Sequence, residues 1–180
     1  MKLDRSRAAL VVVDVQEAFR PAVLDFERVA ASVSVLVRGA RVLGLPTLVT
    51  EQYPQGLGRT VPEVSEHLDG VEPIEKVCFS AVQADGFSRA LQEARRDQVV
   101  LCGIESHVCV NQTAEDLLAD GVEVHVTQDA VTSRTADNRA LGLHKMERSG
   151  ATVTSVETAL FELLRQAGTP EFKQVQALIR

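Results

Sequence analysis

The segment Ala9-Leu-Val-Val-Val13, followed directly by Asp14-Val-Gln16, decides the fold class of this 180-residue chain. An uninterrupted apolar run that is rich in β-branched residues is typical of a strand buried on both faces. A second segment, Gln98-Val-Val-Leu-Cys102, has the same pattern. Because strands of this kind occur in parallel sheets covered by helices on both sides, the two segments predict an α/β protein.

Further strands alternate with segments of helical periodicity. Strands are predicted at 46–50, 122–126 and 151–154, with a short one around Lys76, and helices at 26–43, 85–96, 107–120, 137–149, 155–164 and 169–180. Gly44, Gly121 and Gly150 fall just past predicted helix ends, where a left-handed cap is wanted. This order implies right-handed crossovers, and therefore a three-layer α/β/α sandwich around a mostly parallel, Rossmann-like six-stranded sheet. No linker, repeat or low-complexity tract interrupts the pattern, which predicts a single domain over residues 1–180.

Composition and charge exclude several classes of partner. The formal net charge of −6 argues against nucleic acid, whose recognition needs clustered lysine and arginine. The longest apolar run, Ala8–Val13, is far below the roughly 20 residues that span a bilayer, so no membrane contact is expected. The first residues lack the pattern of a secretory signal, which predicts a cytoplasmic location.

The three cysteines, Cys78, Cys102 and Cys109, are expected to be free thiols. An odd number in a chain large enough to fold on its own core does not suggest a disulfide framework. No C-x-x-C spacing occurs, and Cys102, His107 and Cys109 lack a fourth ligand for a structural zinc ion. Each cysteine can also be a small buried apolar residue.

The segment Gln52–Gly70 is the irregular part of the chain, with Pro54 and Pro62 close to two glycines. We expect a loop here. Ligands of open parallel sheets bind beyond the carboxyl ends of the strands, and this segment leaves from such an end. It is therefore a candidate pocket wall, or else a solvated surface excursion.

Asp14 and Lys76 are candidate functional residues because each places a charge beside apolar sequence. Asp14 ends the first strand, which puts a carboxylate at the edge of the sheet where ligands bind. Lys76 lies in Pro73-Ile-Glu-Lys-Val-Cys-Phe-Ser80, where a lysine flanked by apolar residues needs a partner. A loop anchor for Asp14 and an edge lysine that discourages strand pairing are the structural alternatives.

Cys109 is distinguished from the other two cysteines by its position at the start of a predicted helix. If Ser106 is the N-cap residue, Cys109 is the third residue of that helix. The unpaired backbone N–H groups and the positive end of the helix dipole then favour a thiolate. Cys102 ends a buried strand and Cys78 has no helix start beside it.

Four motifs follow one another along the chain: Asp14-Val-Gln16, Lys76-Val-Cys-Phe-Ser80, Gly103-Ile-Glu-Ser-His-Val-Cys-Val110 and Asp129-Ala-Val-Thr-Ser-Arg134. Together they resemble the isochorismatase-like cysteine hydrolases, a family that includes nicotinamidases and N-carbamoylsarcosine amidohydrolases. The resemblance extends over nearly the whole chain and is closest to the isochorismatase-domain proteins of bacteria and animals, whose substrates are mostly undefined. The segments that resemble this subgroup are Glu51-Gln-Tyr-Pro-Gln-Gly-Leu-Gly58 and Thr154-Ser-Val-Glu157.

The resemblance implies a catalytic triad in which Cys109 is the nucleophile, Asp14 takes its proton and Lys76 holds the developing thiolate. Three such groups brought together would lower the pKa of the thiol. The family also implies a cis peptide bond between Ile104 and Glu105, with the amides of Glu105 and Cys109 forming an oxyanion hole. Because a Ser106 cap would occupy the Cys109 amide, we expect a turn that keeps this amide free. Family members form dimers and larger assemblies, so a homo-oligomer is expected, with the apolar tail Phe172–Ile179 as one surface for it.

Departures from the family pattern narrow the chemistry. Metal-dependent relatives carry Asp-x-His after the second strand, where this chain has Glu51-Gln52-Tyr53, so we predict neither metal nor cofactor. True isochorismatases lack the cysteine, which favours a small amide, carbamoyl or imide-like substrate here. Phe19 and Tyr53 are candidate substrate-binding walls or local loop packing. Thr132-Ser-Arg134 either orders the same rim or caps the helix that follows.

Two alternative functions belong to other classes: a nucleotide-binding domain and an interaction module without catalytic activity. A nucleotide-binding domain is disfavoured because Asp14-Val-Gln-Glu17 lacks the glycines that let backbone approach a pyrophosphate. A catalytically quiet interaction module that retains the fold stays open, although all three catalytic residue types are present.

Overall fold

The computed structural model describes residues 2–179. Within that range six strands form one sheet in the order β3-β2-β1-β4-β5-β6, and every neighbouring pair is parallel. The strands are β1 (Ala8–Val13), β2 (Thr47–Gln52), β3 (Ile74–Lys76), β4 (Gln98–Ile104), β5 (Glu123–Thr132) and β6 (Thr152–Thr154). The predicted α/β class and six-stranded parallel sheet are confirmed.

Eight α-helices accompany the sheet in the described part of the chain. They are α1 (Phe26–Leu43), α2 (Pro54–Leu57), α3 (Pro62–Ser65), α4 (Phe87–Ala94), α5 (Cys109–Ala119), α6 (Ala136–Arg148), α7 (Val156–Leu164) and α8 (Pro170–Ile179). The prediction for α1 matches at both ends, and Gly44 just beyond it has a φ of 67° with its amide bonded to the last turn. The predicted domain limits, 1 and 180, and the predicted helix end at Arg180 lie outside the described residues.

The sheet is covered on both faces, as the apolar strands require. Alternate residues of β1 point to opposite sides, so that Leu10 and Val12 belong to one buried cluster, while Val11 and Val13 belong to the other. The first cluster includes residues of α1, α7 and α8, and the second includes residues of α4, α5 and α6. The three-layer sandwich is thereby confirmed.

The C-terminal helix α8 packs on its own domain. Val175 is fully buried, and the partly buried Phe172 and Ile179 pack against the same cluster as α1. The apolar tail that suggested a partner surface is thus largely used within the chain.

Two local predictions were wrong. The segment 52–70 is not a continuous loop, because Pro54 and Pro62 each begin a short helix, at a position where proline's missing N–H costs nothing. The pattern Thr154-Ser-Val-Glu157 predicts a capping box with Thr154 as the cap of α7, whereas Ser155 is the cap and accepts from the Thr158 amide at 3.1 Å. The Asp129 carboxylate accepts from the next amide, that of Val156.

The central strands β1 and β4 approach each other closely at the edge where the site lies. Val13 is the partner of both Thr50 on β2 and Gly103 on β4. Gly103 has a φ of 126°, and a Cβ atom there would overlap the Val13 carbonyl oxygen. Only glycine permits this approach, which brings the segments after β1 and β4 together. No helix among residues 2–179 is long and apolar enough to cross a membrane.

Candidate active site

Asp14 lies immediately beyond β1 and is completely buried. Its backbone has a φ of 53°, and its amide donates to the Thr50 carbonyl at 3.1 Å. The Thr50 hydroxyl in turn donates to Asp14 Oδ1 at 2.7 Å. Both bonds come from the neighbouring strand, so the carboxylate is fixed at the carboxyl edge of the sheet, where its position after the strand predicted it.

Lys76 ends β3 and its side chain is also fully buried. Its Nζ atom lies 2.6 Å from Asp14 Oδ2 and 2.7 Å from Gln52 Oε1. It also lies within 3.2 Å of the Cys78 and Phe79 carbonyl oxygens. The predicted partner of the lysine is therefore Asp14, and the pair is a buried ion pair whose remaining donors are satisfied.

Cys109 is the first residue of α5 and is 5% exposed. The charges of the Asp14 carboxylate and the Lys76 ammonium both act on its thiol. Burial raises the pKa of this thiol to about 12, the Asp14 charge adds to the rise, and the Lys76 charge partly offsets it. Asp14 and Lys76 are thus in direct contact, and their charges reach Cys109. The expected lowering of the thiol pKa is not found, because burial and the carboxylate outweigh the ammonium.

The start of α5 differs from the predicted one. Ser106 does not cap the helix, because its hydroxyl donates to the Thr132 carbonyl at 3.0 Å and contacts Ser133 Oγ at 2.8 Å. The helix begins two residues later than predicted, with Val108 at the cap position and no side-chain cap. Cys109 is therefore at the first helical position and not the third. Its amide has no acceptor among the described residues.

Glu105 contributes a second free amide beside the thiol. The peptide bond between Ile104 and Glu105 is cis, and the Glu105 amide has no acceptor within residues 2–179. The Glu105 carbonyl accepts from the amides of Val108 and Val110 at 3.1 and 3.2 Å. Two backbone donors without an acceptor in the described part of the chain therefore lie in the segment that leads into α5 and carries the thiol.

The side chain of Glu105 is held by Arg134. Its carboxylate accepts from the Arg134 amide at 2.9 Å and from the guanidinium at 2.8 and 3.1 Å. Although burial raises the pKa of Glu105, these bonds hold it below its usual value. Helix α6 has its own cap, the Thr135 hydroxyl, which accepts from the Asn138 amide. Ser133 and Arg134 therefore order the rim and do not cap the helix.

A cavity of about 410 Å³ lies beside the end of β3, and Lys76 lines it whereas Asp14 and Cys109 do not. Tyr53 forms part of its wall and is 54% exposed, and the other lining residues include Glu75, Lys76, Cys78 and Asp85. Phe19 is not among the lining residues, since it packs against the buried cluster on the α1 side of the sheet. The cavity accords with a substrate wall at Tyr53, whereas Phe19 is placed elsewhere.

Sequence reasoning missed two residues of the site, Thr50 and Gln52. Both lie on β2. The side chain of Gln52 connects the segment after β3 to the site, because its Nε2 atom donates to the Val77 carbonyl while its Oε1 atom accepts from Lys76. Polar residues at the end of the strand next to Asp14 were an available signal. Residues 2–179 contain no cluster of three or more His, Cys, Asp or Glu side chains that could hold a metal ion.

Comparison with known proteins agrees with this geometry. The Isochorismatase domain model matches residues 8–158. The secreted isochorismatase effector Isc1 of Phytophthora sojae is 43% identical over 178 residues, covering 96% of this chain and 84% of the effector. The MAR1 ribonuclease structure from Caenorhabditis elegans has a TM-score of 0.95 at 39% identity. The match covers 99% of this chain and 92% of the ribonuclease chain. YcaC from Pseudomonas aeruginosa, solved with hexane-2,5-diol and covalent acrylamide, has a TM-score of 0.91 at 26% identity, with 98% and 91% covered. The family resemblance is confirmed: the chain belongs to the isochorismatase family.

Proposed function

We propose that this protein is a metal-independent cysteine hydrolase that cleaves the C–N bond of a small amide, carbamoyl or imide-like substrate. One observation carries the proposal: the buried Asp14–Lys76 ion pair acts through its charges on the buried thiol of Cys109, and the amides of Glu105 and Cys109 have no acceptor among the described residues. Nucleophilic acyl transfer needs a thiol, a base that takes its proton, and hydrogen-bond donors that stabilise the oxyanion.

Acylation begins with a neutral thiol, because burial raises the pKa of Cys109 to about 12. Asp14 takes the proton from sulfur as the sulfur attacks the substrate carbonyl carbon. The carbonyl oxygen becomes an oxyanion that accepts from the amides of Glu105 and Cys109. When the tetrahedral intermediate collapses, the C–N bond breaks, the nitrogen takes the proton from Asp14, and a thioester remains on Cys109.

Deacylation returns the enzyme to its starting state. Asp14 accepts a proton from a water molecule that attacks the thioester carbonyl, and the same two amides hold the second oxyanion. The C–S bond then breaks and the sulfur takes the proton from Asp14. For an amide the products are an amine and a carboxylic acid, and for each substrate class the net change is addition of one water across the C–N bond. Lys76 balances the charge of Asp14 in the steps in which that carboxylate is ionised.

Two features support a small substrate with an sp² carbon. The cavity wall at Tyr53 offers an exposed aromatic face for a flat molecule. The covalent acrylamide in YcaC belongs to that protein, and it supports a reactive nucleophile in the shared fold. The ribonuclease activity in the name of the Caenorhabditis elegans MAR1 structure is that protein's, and the net charge of −6 disfavours RNA here.

The proposal includes a cytoplasmic homo-oligomer. Tyr53, Val77 and Phe79 are more than half exposed, and clustered apolar side chains of this kind mark interaction surfaces. Light scattering of the purified protein should give a mass above one chain, and a mass of one chain would refute assembly.

Because the Phytophthora sojae relative is named a secreted effector, cell fractionation is the test of location.

Intact-mass spectrometry tests the catalytic assignment. The protein is mixed with a panel of small amides, carbamoyl compounds and imides, and an acyl adduct is sought. We expect an adduct on Cys109 that is lost in Cys109→Ala and kept in Cys78→Ala, which removes the partly exposed thiol of the cavity wall. Adducts that persist in Cys109→Ala would overturn the assignment. Labelled RNA is tested in parallel as a further substrate. If neither the panel nor the RNA gives an adduct or turnover, the quiet interaction module is favoured.

A further inference from the structure

Glu105 is held on two sides while its amide stays free. Its carbonyl oxygen accepts from two amides at the start of α5. Its carboxylate accepts from three N–H groups of Arg134, in which Nε and Nη2 contact different carboxylate oxygens. A two-pronged contact of this kind fixes the plane of the carboxylate as well as its distance. The direction of the Glu105 amide therefore depends on both attachments.

The backbone of Arg134 is itself anchored to the segment it orients. The Ser106 amide donates to the Thr132 carbonyl at 2.8 Å, and the hydroxyls of Ser106 and Ser133 are 2.8 Å apart. His107 Nδ1 contacts Ser133 Oγ at 3.0 Å. The two segments are thus joined independently of the Arg134 side chain, which is 64% exposed. Replacing the guanidinium should leave the core and these bonds intact.

The guanidinium also offsets a charge that opposes catalysis. The Glu105 carboxylate is only 5% exposed, and its negative charge acts on the Cys109 thiol. An anion at this position also repels the oxyanion that would form beside the Glu105 amide. Interactions between charges are strong where water is excluded, so an unpaired Glu105 would disfavour both the thiolate and the oxyanion.

We propose that Arg134 is a positioning residue for the hydrolase reaction: it orients Glu105 so that its amide faces the oxyanion, and it neutralises the carboxylate beside the nucleophile. The inference rests on the proposed function, since it gives the Glu105 amide its role. It assigns the last residue of the Asp129–Arg134 motif a task at the site although its side chain points largely to solvent.

The first test measures the rate at which iodoacetamide alkylates Cys109 across pH 7–10, read by peptide mapping. Arg134→Met should lower this rate about 10-fold at each pH, because the unpaired carboxylate raises the pKa of the thiol by roughly one unit. The double variant Glu105→Gln with Arg134→Met should recover the wild-type rate to within about threefold, since it removes the charge as well as its partner. General damage to the fold would not be repaired by a second substitution.

The second test separates charge from orientation. Arg134→Lys keeps the positive charge but loses the two-pronged contact, so Cys109 alkylation should stay near the wild-type rate. Its rate of acyl-adduct formation with an active substrate should fall about 10-fold, and that of Arg134→Met about 100-fold. Circular dichroism and thermal melting establish that each variant is folded.

The outcomes distinguish this inference from the function on which it rests. If wild-type protein forms no acyl adduct with any substrate, the hydrolase proposal fails, whatever the alkylation rates show. If folded Arg134→Met is alkylated at the wild-type rate, or the double variant is not repaired, the role of Arg134 is overturned even when wild-type acylation proceeds.

Discussion

Lys76 acts on Cys109 through its charge. Its Nζ atom lies within 3.2 Å of four oxygen acceptors, whereas an ammonium has three protons to donate. Its donors are therefore taken up by Asp14, Gln52 and two carbonyls. Burial raises the pKa of the Cys109 thiol, and the Lys76 charge offsets part of that rise. We therefore assign to Lys76 the tasks of holding Asp14 and easing thiolate formation from a distance.

Lys76→Met tests this role. The substitution leaves the fully buried Asp14 carboxylate without its counter-charge, which should lower the free energy of unfolding by about 3–5 kcal/mol. Alkylation of Cys109 should also slow, because the charge that lowers the thiol pKa is lost. Urea denaturation and iodoacetamide labelling measure the two effects. Lys145→Met is the matched control: this half-exposed lysine of α6 pairs with Glu115 at 3.5 Å, and its loss should cost less than about 1 kcal/mol. Unchanged labelling in Lys76→Met would contradict the role.

Asp14 and Cys109 could be singled out by position, because Asp14 directly follows a parallel strand and Cys109 lies near a helix start. For Lys76 the role of an edge lysine stayed open, and its place in a triad came from the family resemblance. The contact between Glu105 and Arg134 could not be predicted in the same way. The two residues are 29 positions apart, and their contact depends on side-chain directions that a strand pattern does not contain.

At the scale of elements, the turn between β4 and α5 is shaped by its neighbours more than by its own residues. Ser106 is a good helix cap by residue type, but the end of β5 takes its hydroxyl. The helix then begins later than its sequence predicts, and this leaves the Cys109 amide free. Pro54 and Pro62 are the opposite case, because proline at a first helical position was a local signal for the two short helices.

Helix α6 supports this turn through Gly142. A Cβ atom on Gly142 would lie 2.5 Å from the Ser106 carbonyl carbon and oxygen and 2.7 Å from the His107 amide nitrogen. In an open helix, glycine to alanine stabilises by about 1 kcal/mol. Here we expect Gly142→Ala to destabilise the protein by about 1–3 kcal/mol and to slow acylation, because the turn that carries Glu105 must move.

Ala140→Gly, at an exposed position of the same helix, is the control for Gly142→Ala. It should lose about 1 kcal/mol of helix propensity and leave the acylation rate unchanged. Urea unfolding and acyl-adduct kinetics measure both variants. A Gly142→Ala protein as stable and as active as the wild type would show that α6 does not support the turn.

Over the whole molecule, buried titratable groups limit stability at both ends of the pH scale. Burial lowers the pKa of His125, a residue of β5 whose Nδ1 atom has no partner among the described residues. Burial raises the pKa of Cys109 to about 12 and that of Cys102 further still. The folded protein thus resists protonation of the histidine and ionisation of the thiols, and stability should be greatest between about pH 6.5 and 9.

The sign of each limb follows from which state binds more protons. Below the ordinary histidine pKa of 6.5, His125 binds a proton in the unfolded chain but not in the folded protein. The free energy of unfolding therefore falls as pH decreases. Above the ordinary thiol pKa of 9.0 the unfolded chain releases protons that the folded thiols keep, so stability falls as pH increases, by about 1.4 kcal/mol per pH unit for each thiol. Urea denaturation across pH 5–11 should show both limbs. His125→Leu should flatten the acid limb alone, and Cys102→Ala should roughly halve the alkaline slope while lowering stability overall through lost packing. Limbs that are equally steep in the variants and the wild type would mean that other groups govern the pH range of the fold.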